Sequence, residues 1–188
     1  MNKRKRNDTD NDDDFDPDDL KHTFNFNKNN IYFYCPVSSA SIIKLINAIS
    51  SIEENGYSNI HLYIQSKGGD VYAGISGMNH IKNSNIPIIT YVDGLCASAA
   101  TFISIAGSKR FMYKYSEVLI HQIQTSTWGR YEDMKSDMDN NTKLMNILRF
   151  MYNEHTNIPS KVLTQLLSKE IHLDSSFCIK YKIIDEII

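Results

Sequence analysis

The 188-residue chain is 41% apolar and 22% charged, long enough to bury one sizeable core and too short for two. Eight of its 22 acids are aspartates between Asp8 and Asp19, and four of its 20 bases are Lys3, Arg4, Lys5 and Arg6, which leaves a body of 16 basic against 14 acidic residues under a net charge of -2. So even a balance gives no electrostatic footing for nucleic acid or a membrane surface, and three scattered cysteines, Cys35, Cys96 and Cys178, exclude a disulfide framework and a zinc ribbon.

That cysteine usage indicates a reducing, cytoplasmic setting. Lys3–Arg6 has the composition of a nuclear import signal, although four bases beside an acidic block also arise by chance. No apolar stretch follows of the kind a signal peptide needs, and no later run is long enough to span a bilayer. Residues 1–30, rich in Asp and Asn, cannot bury enough surface to offset chain entropy and are expected to form a disordered tail ahead of one domain over 31–188.

From residue 31 short extended runs alternate with helical ones. Ile31 to Tyr34 predicts a strand, and Ser38 or Ser39 caps a helix with Ile42, Leu45, Ile46, Ile49 and Ile52 on one face, ended by Gly56. Ile60, Leu62 and Ile64 alternate as a strand; Lys67-Gly68-Gly69 turns the chain, and Asp70 caps a helix carrying Val71, Ile75, Met78 and Ile81. A strand over 86–92 leads through a predicted turn at 93–97 into a helix from Ser98, closed by Gly107. Extended runs at 110–113 and 118–121 follow. Residues 131–155 contain no Gly or Pro and predict one long helix, whose methionines suit either packing against another subunit or an ordinary surface helix. Helices over 159–167 and 175–181 and a terminal strand over 183–188 complete an α/β pattern with a largely parallel sheet.

The chemistry concentrates at three places. Gly68 and Gly69 follow a strand directly, where the missing Cβ lets backbone N–H groups approach a ligand. Ser98 sits at the first turn of a helix after a strand, with an exposed Oγ and the positive helix end beside it. His121 ends an extended run, rigidly held yet able to project from a sheet edge. Together they supply a candidate nucleophile, a candidate base and two candidate oxyanion donors, the N–H groups of Gly69 and Ala99, although serine, histidine and glycine are common and the trio by itself also reads as structural. Cys96 is the other conceivable nucleophile, though a buried turn cysteine reads as structural. His22, His61, His80, His155 and His172 show no ligand spacing, and neither a GxxxxGK loop nor a GxSxG elbow is present. No metal and no cofactor are expected in this chain.

Residues 62–74, LYIQSKGGDVYAG, together with 92–103, VDGLCASAATFI, 119–122, LIHQ, and 181–185, YKIID, resemble the Clp protease proteolytic-subunit family in order and spacing. The resemblance implies a ClpP/crotonase-like α/β spiral with the 131–155 helix as a protruding handle used in oligomerisation. It implies a serine endopeptidase that forms an acyl-enzyme on Ser98, with His121 as base and peptides or unfolded chains as substrate. It also implies a homo-oligomeric assembly of two stacked seven-membered rings, and ATP used only through a partner AAA+ unfoldase. That partner docks on aromatic residues in the family; Tyr63 and Phe111 match two such positions, while Asn83 replaces an aromatic.

The third member of the family's triad is an aspartate eleven residues before the C-terminal tyrosine, where this chain has Glu170, with Asp174 as rival. Lysine replaces a proline at 67 and a glycine at 182, Ala99 and Ala100 replace methionine and glycine, and Ile123 replaces a proline. These departures leave two alternatives open: a catalytically silent ring subunit, and an acyl-CoA enzyme of the crotonase type, whose related fold also uses two backbone donors.

Overall fold

The computed structural model describes residues 24–188. Most of the expected tail, residues 1–23, lies outside the described residues. The rest of it does not behave as tail. Phe24–Asn27 forms strand β1, antiparallel to β2 (Asn30–Phe33), and Phe24 packs edge-on to Phe33. A run of Phe, Asn, Phe, Asn is too polar to announce a strand, and the pairing partner supplies what composition lacked.

The parallel part of the sheet runs β2, β3 (Ile60–Ser66), β4 (Ile88–Ala97), β5 (Lys109–Met112) and β8 (Glu186–Ile187). Three helices connect these strands: α1 (Ser39–Glu54), α2 (Val71–Lys82) and α3 (Ala100–Ile105). Ser38 caps α1 in a reciprocal box with Ser41, and Asp70 caps α2 by accepting from Ala73 N–H at 2.7 Å. α1 packs on α2 and against β1 and β2, and α2 packs on α3, which lies against β3 and β4. Their apolar faces cover the inward row of the strands, Ile31, Phe33, Leu62, Ile64, Ile88 and Val92, all buried.

The opposite face of the sheet carries an aromatic row. Tyr32, Tyr63, Tyr91 and Phe111 stand in register across β2 to β5, their rings stacked with centroids 5.1, 4.6 and 5.1 Å apart. They are only half-buried, which is unusual for a parallel sheet, whose two faces are normally both covered.

Strand β4 departs most from its sequence reading. Asp93–Ala97 is not a turn but the second half of the strand, and Ser98 to Ala99, not 93–97, make the turn before α3. Between Ile64↔Val92 and Ser66↔Cys96, β4 spends four steps where β3 spends two. Gly94 takes φ +101° in this bulge. Beyond it β4 exchanges partners: its first half pairs with β5, its second half with β6 (Glu117–Leu119). The bulge is held by the Tyr34 hydroxyl on Asp93 and by Gly94 N–H donating to Ser116 Oγ at 2.8 Å.

The long helix α4 spans Tyr131–His155, with Glu132 and Asp133 in its first turn complementing the dipole. Only its C-terminal half is anchored, by Leu144, Leu148, Met151 and Tyr152. α5 (Ser160–Leu167), the two-residue β7 (His172–Leu173) and α6 (Ser175–Lys180) follow. β7 pairs antiparallel with β6, and the terminal strand shrinks from 183–188 to Glu186–Ile187.

One ion pair locks the C-terminus onto the sheet. Arg110 on β5 donates from Nη2 to Asp185 Oδ1 at 2.7 Å and from Nε to Oδ2 at 3.1 Å, and from Nη1 to the His155 carbonyl at 2.6 Å. The Arg110 guanidinium, hydrogen-bonded to Asp185, holds that carboxyl below its ordinary range despite the opposing effect of burial. A depressed carboxylate contributes stability above its unfolded value and loses it as pH falls through the folded value. Asp185→Asn is expected to cost about 1–3 kcal/mol at neutral pH. In urea titrations the gap to the wild type should close as pH drops below the usual carboxylate range; a gap constant with pH would contradict the assignment.

Candidate active site

Ser98 is the first residue after β4 and takes φ +54°, a left-handed conformation that serine adopts only under constraint. The constraint is visible on both sides of the backbone. Ser98 N–H donates to the Leu119 carbonyl at 2.8 Å, extending the β4–β6 pairing by one step. On the other side, a Cβ added to Gly68 would lie 2.6 Å from both the Ala97 oxygen and Ser98 Cβ. The Gly68 φ of +88° itself calls for glycine. Gly68 is thus the residue packed on the serine, a role the sequence does not reveal.

The two candidate oxyanion donors share a structural feature. Gly69 N–H and Ala99 N–H donate to no protein acceptor among the described residues. The Gly69 amide belongs to the peptide whose carbonyl, on Gly68, accepts from Val37 N–H at 2.9 Å; Asp70 N–H in turn donates to the Val37 carbonyl at 2.8 Å. The Ala99 amide belongs to the peptide whose carbonyl is on Ser98, and that carbonyl is also gripped, by Thr101 N–H at 2.9 Å. A planar peptide held by its oxygen has its N–H aimed the opposite way.

His121 follows Ile120, which is fully buried, and precedes Gln122, whose N–H donates to the Leu167 carbonyl at 2.9 Å. Its segment is therefore fixed between the sheet and the end of α5. Nδ1 of His121 lies 3.4 Å from Glu170 Oε1, with the imidazole 16% and the carboxylate 67% exposed. Asp174 is otherwise engaged: it caps α6, accepting from Phe177 N–H at 2.7 Å. Of the two carboxylates, Glu170 is the one beside the imidazole. Among the described residues no hydrogen bond joins Ser98 Oγ to His121; such contacts are commonly loose without substrate.

A separate pair lies on β7, just after Glu170 in the chain. His172 Nδ1 meets Glu117 Oε2 at 2.5 Å across the β6–β7 pair, a contact the sequence reading missed because a two-residue strand leaves no periodicity. Cys96 is fully buried, and burial pushes its thiol far above the ordinary range, so it stays protonated and inert. His61 bonds Tyr91 Oη at 2.8 Å on the aromatic face, away from the serine's end of β4. Among the described residues no group of three or more His, Cys, Asp or Glu side chains is arranged for a metal, and no helix is long and apolar enough to cross a membrane.

A serine on a strained turn, a histidine two residues past the neighbouring strand and two amides without a protein acceptor form an arrangement that can carry out acyl transfer. The sequence model of the Clp protease family matches residues 20–188, so the chain belongs to that family. Membership makes it a Clp-type protease subunit. It is similar to the ATP-dependent Clp protease proteolytic subunit of Deinococcus radiodurans, 26% identical over 161 residues that cover 84% of this chain and 79% of the relative. A protein of the same name from Cyanophora paradoxa is 29% identical over 136 residues, 71% of this chain and 70% of its own length.

The crowding at Gly68 separates from its backbone strain by comparison with Gly56, which has φ +75° but nothing within 4 Å of an added Cβ. Gly56→Ala should cost about 1 kcal/mol, and Gly68→Ala about 2–4 kcal/mol because the displaced neighbours are the backbone of the serine turn. Equal losses in denaturant unfolding would mean that Gly68 does not press on Ser98.

Proposed function

We propose that the chain is a serine endopeptidase subunit that cleaves peptides or unfolded chains through an acyl-enzyme on Ser98. The observation that carries this is the junction of β4 with β6, where Ser98 N–H is bonded to Leu119, two residues before His121, with Glu170 at the imidazole. In this mechanism His121 Nε2 takes the Ser98 proton as Oγ adds to the scissile carbonyl, and the oxyanion is received by Gly69 and Ala99 N–H. The imidazolium then gives that proton to the leaving amine, and a water activated by the same base hydrolyses the ester. Glu170 balances the imidazolium charge across Nδ1. Being largely exposed, it contributes less than a buried carboxylate would.

The subunit works, in this reading, as a homo-oligomer of two stacked rings fed by an ATP-driven unfoldase; the two relatives are named as proteolytic subunits of an ATP-dependent protease. Two surfaces support it. Met138, Ile147 and Phe150 are exposed along α4, more apolar area than an isolated surface helix carries without cost. Tyr63 and Phe111 belong to the half-buried aromatic row on the uncovered sheet face, suited to an aromatic or aliphatic anchor of the unfoldase. Three free cysteines suit a cytoplasmic protein.

Family membership favours the protease over the acyl-CoA enzyme of related fold. The silent ring subunit is favoured by one observation, the missing contact between Ser98 Oγ and His121. A fluorophosphonate probe discriminates, since only an activated serine is labelled. Ser98→Ala should abolish labelling. On a peptide substrate Ser98→Ala and His121→Ala should each lower turnover by about a thousandfold or more, the double variant little further, and Glu170→Gln by about tenfold to a hundredfold with KM nearly unchanged. Unlabelled wild-type protein of full ring mass would establish the silent subunit instead. Light scattering at micromolar concentration checks assembly, and a monomeric mass would remove the ring.

A further inference from the structure

The turn that carries Ser98 is gripped from inside the protein by side chains with no place in a serine, histidine and carboxylate set. The Ser98 carbonyl accepts two hydrogen bonds from Thr101, one from its N–H at 2.9 Å and one from its hydroxyl at 2.6 Å. The same hydroxyl oxygen lies 2.6 Å from Tyr152 Oη. A threonine hydroxyl has one proton, and here it is committed to the Ser98 carbonyl, so Tyr152 is the donor to Thr101. Burial pushes the Tyr152 phenol well above its ordinary range, which keeps that donor proton in place. Both residues are 1% exposed, and no water competes for the chain of bonds.

The direction of this chain gives it a consequence at the reaction centre. The Ser98 carbonyl and the Ala99 N–H are opposite ends of one planar peptide, so whatever fixes the oxygen aims the amide. The Thr101 N–H bond alone is what any first helical turn provides; the hydroxyl adds a second, charge-neutral constraint, polarised by Tyr152. We propose that Thr101 and Tyr152 are positioning residues for the oxyanion donor Ala99 N–H, an inference that rests on the roles given above to Ser98 and Ala99. Because Tyr152 lies at the anchored end of α4, the helix is tied through Thr101 to the backbone of Ser98.

The test uses the full chain with p-nitrophenyl acetate, which needs no side-chain specificity, after subtraction of the Ser98→Ala background. Thr101→Val removes the hydroxyl at nearly constant volume and should lower kcat about tenfold to a hundredfold, with KM within about twofold of wild type. The midpoint of the pH–rate profile should not move, since His121 is untouched. Thr101→Ser keeps the hydroxyl and should recover most of the rate, and Tyr152→Phe should fall between. A wild-type kcat in a Thr101→Val protein that melts cooperatively overturns the proposal, as does a Thr101→Ser protein as slow as Thr101→Val. Should Thr101→Val not fold, Tyr152→Phe carries the test, and a wild-type kcat in it overturns the proposal. A Ser98→Ala protein that turns over the ester at the wild-type rate overturns the nucleophile and this inference together, a pattern separate from normal Thr101 variants on an active Ser98.

Discussion

Two additional residues in β4 are the constraint on which the site depends. A parallel strand that kept register with β3 would run straight beside β5 and deliver its last residue away from β6. The bulge around Gly94 bends the strand and increases its twist, so its second half finds a new neighbour. That neighbour is the strand leading to His121. The serine and the histidine, 23 positions apart, are brought to one place because one strand changes partners partway along its length.

The strain at the serine is held by contacts of unequal kind. The left-handed Ser98 backbone is bonded at its N–H to β6 and at its carbonyl to α3, while Gly68 fills the space alongside with no Cβ to resist. Neighbours that leave one position for a residue can maintain a conformation costing on the order of 1–3 kcal/mol. The bonds at the Ser98 carbonyl also fix the Ala99 amide, and the Val37 N–H bond to the Gly68 carbonyl fixes that of Gly69. Both N–H groups lie on peptides whose oxygens are already committed, so in the proposed mechanism little reorganisation is left for the moment when charge develops on a bound carbonyl.

The carboxylate side is built more lightly. Glu170 precedes a strand of two residues whose outward side chain, His172, reaches Glu117, and the contact with His121 is long and wet. A longer side chain than aspartate spans the distance at the expense of rotamer freedom, so its grip on the imidazole is looser. The remaining surfaces, the aromatic row and the exposed stretch of α4, are the places where the sheet and the long helix stop covering their own apolar side chains.

Periodicity alone carried most of the framework. The i, i+3, i+4 pattern after Ser38, the alternation of Ile60, Leu62 and Ile64, and the stretch over 131–155 without Gly or Pro determine their elements, because burial of one face repeats with the geometry of the element. The chain's order of motifs also singled out Ser98, His121 and Glu170. Strand β1 and the two-residue β7 were not legible, since strands this short and polar exist only through their partners. Nor was the continuation of β4 through Asp93–Ala97, where a glycine reads equally as a turn or a bulge until the facing strand is known. Glu170 was preferred to Asp174 only by its place in the motif order; in the fold Asp174 caps α6 while Glu170 lies beside the imidazole. Thr101 and Tyr152 are 51 positions apart and look like ordinary helix residues. Their hydrogen bond depends on how α4 packs against α3, and packing is a property of surfaces that meet only when the chain is folded.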